Sequence, residues 1–302
     1  MQNRLKALFP LLLVIPLFLT ISGCKKGENP TEVQVEAAAT QDAAASIAAS
    51  LAINDGGALE QMSDMMASAT KEGLQNEVVN SLFGFRNGSV NVEKVYDSLT
   101  GWWTVTVTRT KGDPSGLYHA NYVRVYKHRF LDKNGVFQKH YIVDLNGTPD
   151  TAYTVNQEIV SGTGELVRPG VSRKLLTLSA GWTTTNANTS IVTVNTLPAS
   201  PLRRAVSDTI TRGNAVRTLN NNLTLNFTNV KGPRLRTLNW HRAISGTITG
   251  TYTATVTFLK GEVYREKVIN REINITLGGD KIQMNVGGTK FLLDPVTGEL
   301  TQ

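Results

Sequence analysis

Two periodicities divide the chain. Between residues 41 and 85, apolar positions recur at helical spacing. Ala44, Ile47, Ala48 and Leu51 share one face, with Asp42 near the start. After the break at Asn54-Asp55-Gly56-Gly57, the residues Leu59, Met62, Met66 and Ala69 repeat the spacing. Leu74 to Phe85 stays apolar without settling between a short helix and a loop. Beyond residue 98 the period falls to two. Trp103, Val105 and Val107 alternate with Thr104, Thr106, Thr108 and Thr110. Ile248, Tyr252, Ala254, Val256 and Phe258 alternate with the threonines at positions 247 to 257. That pattern belongs to antiparallel strands with one face in a core and the other in water.

The alternation predicts strands over about 101–110, 118–131, 136–145, 153–162, 172–182, 218–229, 246–259 and 262–277, with shorter ones near 281–286 and 290–293. Asn134-Gly135, Asn146-Gly147, Lys260-Gly261, Gly278-Gly279 and Gly287-Gly288 supply the turn signals between neighbours. No helical stretch interrupts the run, which argues against parallel crossover units. The fold class is therefore mainly β with a short N-terminal helical segment, built on a large antiparallel sheet. A curved half-barrel and a sandwich both fit. Residues 98–302 form the β domain, 41–85 the helical segment and 24–40 a tether rich in Gly, Pro and scattered charge. The softest stretch is Gly181 to Arg217, which reads as a long loop or a division between sheets.

The first residues carry a separate signal. Arg4 and Lys6 precede an apolar run from Ala7 to Ile21, about 15 residues and too short to span a bilayer. It leads straight into Ile21-Ser22-Gly23-Cys24. This resembles the lipobox of bacterial lipoproteins, and the single cysteine of the chain stands at its required place. The resemblance covers residues 1–24 and no more. It implies that residues 1–23 are a removed signal peptide and that Cys24, acylated, becomes the first residue of the mature protein. Two or more acyl chains hold a protein stably at a membrane. Lys25 stands where the family's inner-membrane members carry aspartate, so the resemblance points to an outer membrane.

Charge sharpens the division. The 302 residues carry a net charge of +7, but residues 24–97 are net −6 and residues 98–302 net +11. One reading docks the acidic helical segment on the basic sheet. Another turns basic clusters, Arg203-Arg204 and Arg234-x-Arg236, toward anionic lipid; Arg203 and Arg204 are expected in a loop after Pro201. Arg234, Arg236, Trp240, His241 and Arg242 mix cations with an aromatic, yet an envelope location makes nucleic acid an unexpected partner.

Chemical signatures are sparse. No nucleophile elbow, zincin helix, phosphate loop or paired cysteine occurs, and no cofactor or metal site is expected. Asp132-Lys133-Asn134-Gly135 and Asp144-Leu145-Asn146-Gly147 lack the later acidic ligands of calcium loops and read as turns. A two-residue turn at Asn134-Gly135 would set Arg129 opposite His140 and His128 opposite Tyr141, with His128 and His140 on opposite faces. Function is thus expected to be that of a lipid-anchored envelope protein, non-enzymatic, binding a partner (anionic lipid or an envelope protein) or serving structure. The alternative is a carrier holding a lipid or other apolar ligand between sheet and helix.

Overall fold

Nearly every strand follows its neighbour by a hairpin, because alternating side chains and Gly-bearing turns recur without a helical interruption. The computed structural model describes residues 32–53, 57–62, 88–113, 115–145, 147–234 and 242–301. Among the described residues, helix α1 (Glu32–Leu51) and a helical turn at 58–62 precede the strands β1 (Gly88–Asp97), β2 (Trp102–Gly112), β3 (His119–Leu131), β4 (Phe137–Gln138), β5 (Ile142–Leu145) and β6 (Thr148–Thr151). They continue as β7 (Thr154–Arg168), β8 (Val171–Thr185), β9 (Ile191–Thr196), β10 (Leu202–Arg212), β11 (Ala215–Pro233) and β12 (Ser245–Lys260). The last are β13 (Val263–Leu277), β14 (Ile282–Val286), β15 (Thr289–Leu293) and β16 (Leu300–Thr301). Fourteen of these form one antiparallel sheet in the order β1-β2-β3-β7-β8-β10-β11-β12-β13-β14-β15-β16, with β4 on β3 and β9 bridging β8 and β11. The hairpin β5–β6 stands apart.

The half-barrel reading is the one realised. The main core runs from Val105 on β2 to Leu293 on β15 and takes in Ala43, Ala44, Ile47, Ala48 and Leu51 of α1, all essentially without solvent contact; a smaller cluster gathers Phe130, Tyr141, Ala152, Val155 and Ala187. The sheet therefore curls its apolar face around the helix. Bulges help it bend: Val160 and Leu176 are the extra residues where the register shifts between β3 and β7 and between β8 and β10. Gly250 marks a tight spot, since a Cβ there would collide with the Thr224 carbonyl oxygen. Alanine helps on the other side: the small faces of Ala44 and Ala48 let α1 lie close against the strands. Alternation on β12 puts Ile248, Tyr252 and Ala254 in the core, while Thr247, Thr251 and Thr253 face water.

Several expectations change in detail. The helix begins at Glu32, inside the stretch read as tether, because Glu, Gln and Ala are strong helix formers even without an apolar stripe. Strand β1 starts at Gly88, ahead of residue 98. Segment 181–217 holds the end of β8, β9, β10 and the start of β11 rather than a loop; its threonines and valines are strand formers, Val192, Val194 and Val206 reaching the core. Residues 136–145 break into β4 and β5. Of the inward positions, Val105, Val107, Ile248 and Tyr252 are buried, Trp103 and Val256 are half-buried, and Phe258 reaches the rim and is exposed. Cys24, Met66, Ala69 and the stretch Leu74–Phe85 lie outside the described residues.

The hairpins give the half-barrel two ends. One rim carries the turns β2–β3, β7–β8, β10–β11 and β12–β13; the opposite rim carries the turns at 98–101, 132–136, 278–281 and 294–299. Helix α1 runs between them. Its Asp42 meets Arg217 near the β10–β11 turn, whereas Ile53 donates its N–H to the Pro295 carbonyl at the opposite rim.

Candidate functional site

The most distinctive chemistry lies between the helical segment and the concave face of the sheet. Inward positions on β2, β3, β8, β10, β11 and β13 are occupied by Arg109, Arg124, Arg173, Arg204, Arg217 and Arg271. Glu60, in the helical turn 58–62, is almost fully buried and stands between two of them, 3.2 Å from Arg109 and 2.8 Å from Arg124. Asp42 of α1 accepts from Arg217 at 2.7 Å. Arg271 donates to Thr40 Oγ1 at 3.2 Å, and Arg204 donates to the Ser50 carbonyl at 3.2 Å. Arg173 holds Asp208 through two N–H groups, at 2.8 and 3.2 Å. The acidic helical segment thus docks on the basic sheet through named pairs, so part of the charge asymmetry is internal.

Burial sets the ionisation here. Desolvation, with Arg173 and Arg124 near by, lowers the Arg204 guanidinium to about 10, which still leaves it charged at neutral pH. Desolvation pushes the Tyr252 phenol up to about 12 and raises Tyr122 as well. The two buried carboxylates among the described residues, Glu60 and Asp208, both face guanidinium groups. The arrangement fixes the helices to the sheet.

The arginines singled out in sequence separate. Arg203 is exposed on the outer face of β10. Arg204, its neighbour on the same strand, points into the core and is 3% exposed, which removes it from any surface contact. The loop expected after Pro201 is in fact the start of β10, and on a strand adjacent residues face opposite ways. Arg234 is half-buried at the end of β11, donating to the Tyr141 hydroxyl and to the Ala187 carbonyl, with its guanidinium over the Tyr141 ring. It pins the loop between β8 and β9 and is not free for lipid. Arg236, Trp240 and His241 lie outside the described residues.

The histidines also move. The turn after β3 spans residues 132–136, with Leu131 opposite Phe137, so the expected cross-strand pairs shift register. Asp132 explains this: its carboxylate accepts from the Asn134 and Val136 N–H groups and closes a longer loop. Because β4 ends at Gln138, the chain turns away and brings His140 to the same Trp103 that His128 stacks on, with ring centroids 6.2 and 6.5 Å away. Burial and then the Lys94 ammonium hold His128 down at about 4, so it is neutral. His119 sits outward on β3 beside Glu165, at 3.3 Å. Among the described residues no three His, Cys, Asp or Glu side chains come together as a metal-binding group. Asp144 accepts from the Gly147 N–H, a turn role.

A depression of about 490 Å³ lies on the sheet around Asn270, Arg271, Glu272, Asn274, Asn285, Gly287 and Gly288. It is open and polar, unlike the enclosed apolar cavity of a lipid carrier. No helix among the described residues is long and apolar enough to cross a membrane. Comparison with family models, curated proteins and solved structures finds no match.

Proposed function

We propose that this chain is a lipid-anchored envelope protein, held to a membrane through acylated Cys24, whose β body serves binding or structure and not catalysis or ligand carriage. The observation that supports this best is the occupancy of the concave face. A carrier keeps its ligand there; here Ile47, Leu51, Leu59 and Met62 fill the space, and arginine pairs lock the helical segment in place. The outer face offers threonine and asparagine on β11, β12 and β13, a hydrogen-bonding surface without the apolar band of a lipid-embedded barrel. Lys25 after the lipobox cysteine favours an outer-membrane destination.

Native mass spectrometry of the protein purified from the envelope tests both halves. The expected mass is that of the chain from Cys24 plus covalent acyl groups, with nothing else bound. A Cys24→Ser variant should lose the acyl mass and leave the membrane fraction. An unmodified Cys24 overturns the anchor, and a stoichiometric non-covalent lipid replaces the binding role with that of a carrier.

A further inference from the structure

The two rims of the half-barrel differ in charge, and the chain leading to Cys24 leaves from only one of them. The rim with the β2–β3, β7–β8, β10–β11 and β12–β13 turns carries Lys111, Arg168, Arg212, Lys260 and Arg265, against Asp113 and Glu262 at the tips. Leu117, at 79% exposure, and Tyr264, at 59%, project among them with Tyr118 and Leu259. The opposite rim also exposes apolar side chains, Leu99 and Val136 for instance, but its turns hold Asp97, Asp132, Asp280, Asp294 and Glu299 against Lys133 and Lys281, with Lys139 near by and Arg242 paired to Asp280, so acids outnumber bases there. Apolar exposure therefore does not separate the ends; charge does.

The path of the N-terminus selects the same end. From Asp42, beside Arg217, α1 rises ten more residues to Glu32, about 15 Å at helical pitch. The β10–β11 tip at Gly213-Asn214 lies three to four residues beyond Arg217, about 10–13 Å along the strand. Thr40, beside Arg271, lies nine strand residues (about 30 Å) below the β12–β13 tip at Glu262, and α1 climbs about 12 Å from there to Glu32, so the helix start sits between mid-sheet and the basic rim. Seven residues separate Cys24 from Glu32, and even fully extended they span no more than about 28 Å. A strand such as β13, with 15 residues, is about 50 Å long. The tether is shorter than the body, so the anchored end is the basic end.

We infer that this basic rim is a membrane-contact surface: the four hairpin tips rest on the anionic lipid surface in which Cys24 is anchored, with Lys111, Arg212, Lys260 and Arg265 facing headgroups and Leu117, Tyr118, Leu259 and Tyr264 entering the interface. Aromatic and leucine side chains suit that depth, and basic residues gain from the negative surface potential. This replaces Arg204 and Arg234, which the fold consumes internally, with residues placed at the hairpin tips. The orientation rests on the anchor at Cys24 proposed above, whereas contact itself needs no acyl chain, so the two fail separately.

The chain from residue 25 onward contains every described residue and no cysteine, which allows clean single-site labelling. Leu117→Cys and Leu99→Cys, similarly exposed at opposite rims, carry an environment-sensitive fluorophore and are mixed with phosphatidylglycerol-containing or purely phosphatidylcholine vesicles. The label at position 117 should shift to the blue on anionic vesicles and the label at 99 should not. Co-sedimentation should weaken between 0.01 and 0.15 M salt, as the screening length falls from about 30 to about 8 Å. Changing Lys111, Arg212, Lys260 and Arg265 to Gln should reduce partitioning by roughly five-fold per residue, while Lys133→Gln with Lys139→Gln at the opposite rim leaves it unchanged. Absence of binding, equal binding to neutral vesicles, or a shift at position 99 and not at 117 overturns the inference. The labelled chains decide the matter even if the four-site variant fails to fold.

Discussion

His128 shows how one side chain reports its surroundings. It lies on the inner face of β3, stacked on Trp103 of β2 and edge-on to Phe130, with Gln157 of β7 opposite and Lys94 of β1 near by. Burial and the Lys94 ammonium both oppose a proton there, so the folded protein resists protonation down to about pH 4, while an unfolded histidine takes it up near 6.5. The folded pKa is the lower one. Stability from this site is therefore complete above about pH 6.5 and is lost as pH falls toward 4, by about 3 kcal/mol in all. His128→Phe should flatten the dependence of the urea midpoint on pH between 6.5 and 4 relative to wild type. Parallel pH profiles for the two proteins would contradict the burial of a neutral imidazole.

Among elements, the helical turn around Glu60 and the helix α1 are both tied to the sheet by acid–arginine pairs, but at different depth. Glu60 is sealed between Arg109 and Arg124, with side chains under 5% exposed. Asp42 and Arg217 keep roughly a quarter of their surface in water. Removing one partner from a sealed pair leaves uncompensated charge and costs about 3–5 kcal/mol, whereas a solvated pair contributes about 1 kcal/mol or less. Glu60→Gln should therefore lower the denaturation midpoint far more than Asp42→Asn, as read by circular dichroism in urea. Equal effects would place Glu60 in a solvated site.

At the scale of the molecule, the main core spans the sheet without a dividing line, while a smaller cluster of Phe130, Tyr141, Ala152, Val155 and Ala187 sits at one end. Ile47 of α1 belongs to the same cluster as Val105 on β2 and Leu293 on β15. Truncating it with Ile47→Ala should cost about 2–5 kcal/mol and displace a single thermal transition. Two separate transitions, one for each half of the sheet, would contradict the shared core. The curved sheet gives the body two unlike ends, one with the hairpin tips of β2–β3, β7–β8, β10–β11 and β12–β13 and one with the turns at 98–101, 132–136, 278–281 and 294–299.

What the sequence determined by itself was local. Period-two alternation fixed β2, β3, β12 and β13 and the inward positions Val105, Val107, Ile248 and Tyr252, because strand geometry sends alternate side chains to opposite faces. Helical spacing at Ala44, Ile47, Ala48 and Leu51 marked the buried face of α1 for the same kind of reason. Register was less legible: the Asn134-Gly135 signal was overridden by the Asp132 carboxylate, which moved His140 beside Trp103. Tertiary structure alone decided which arginines are surface and which are interior. Arg203 and Arg204 are identical in type and adjacent in sequence, yet the pleat sends one to water and the other beneath α1. It alone also gathered Lys111, Arg212, Lys260 and Arg265 at one rim, since those residues are remote in sequence and meet only because every second hairpin turns at the same end of the sheet.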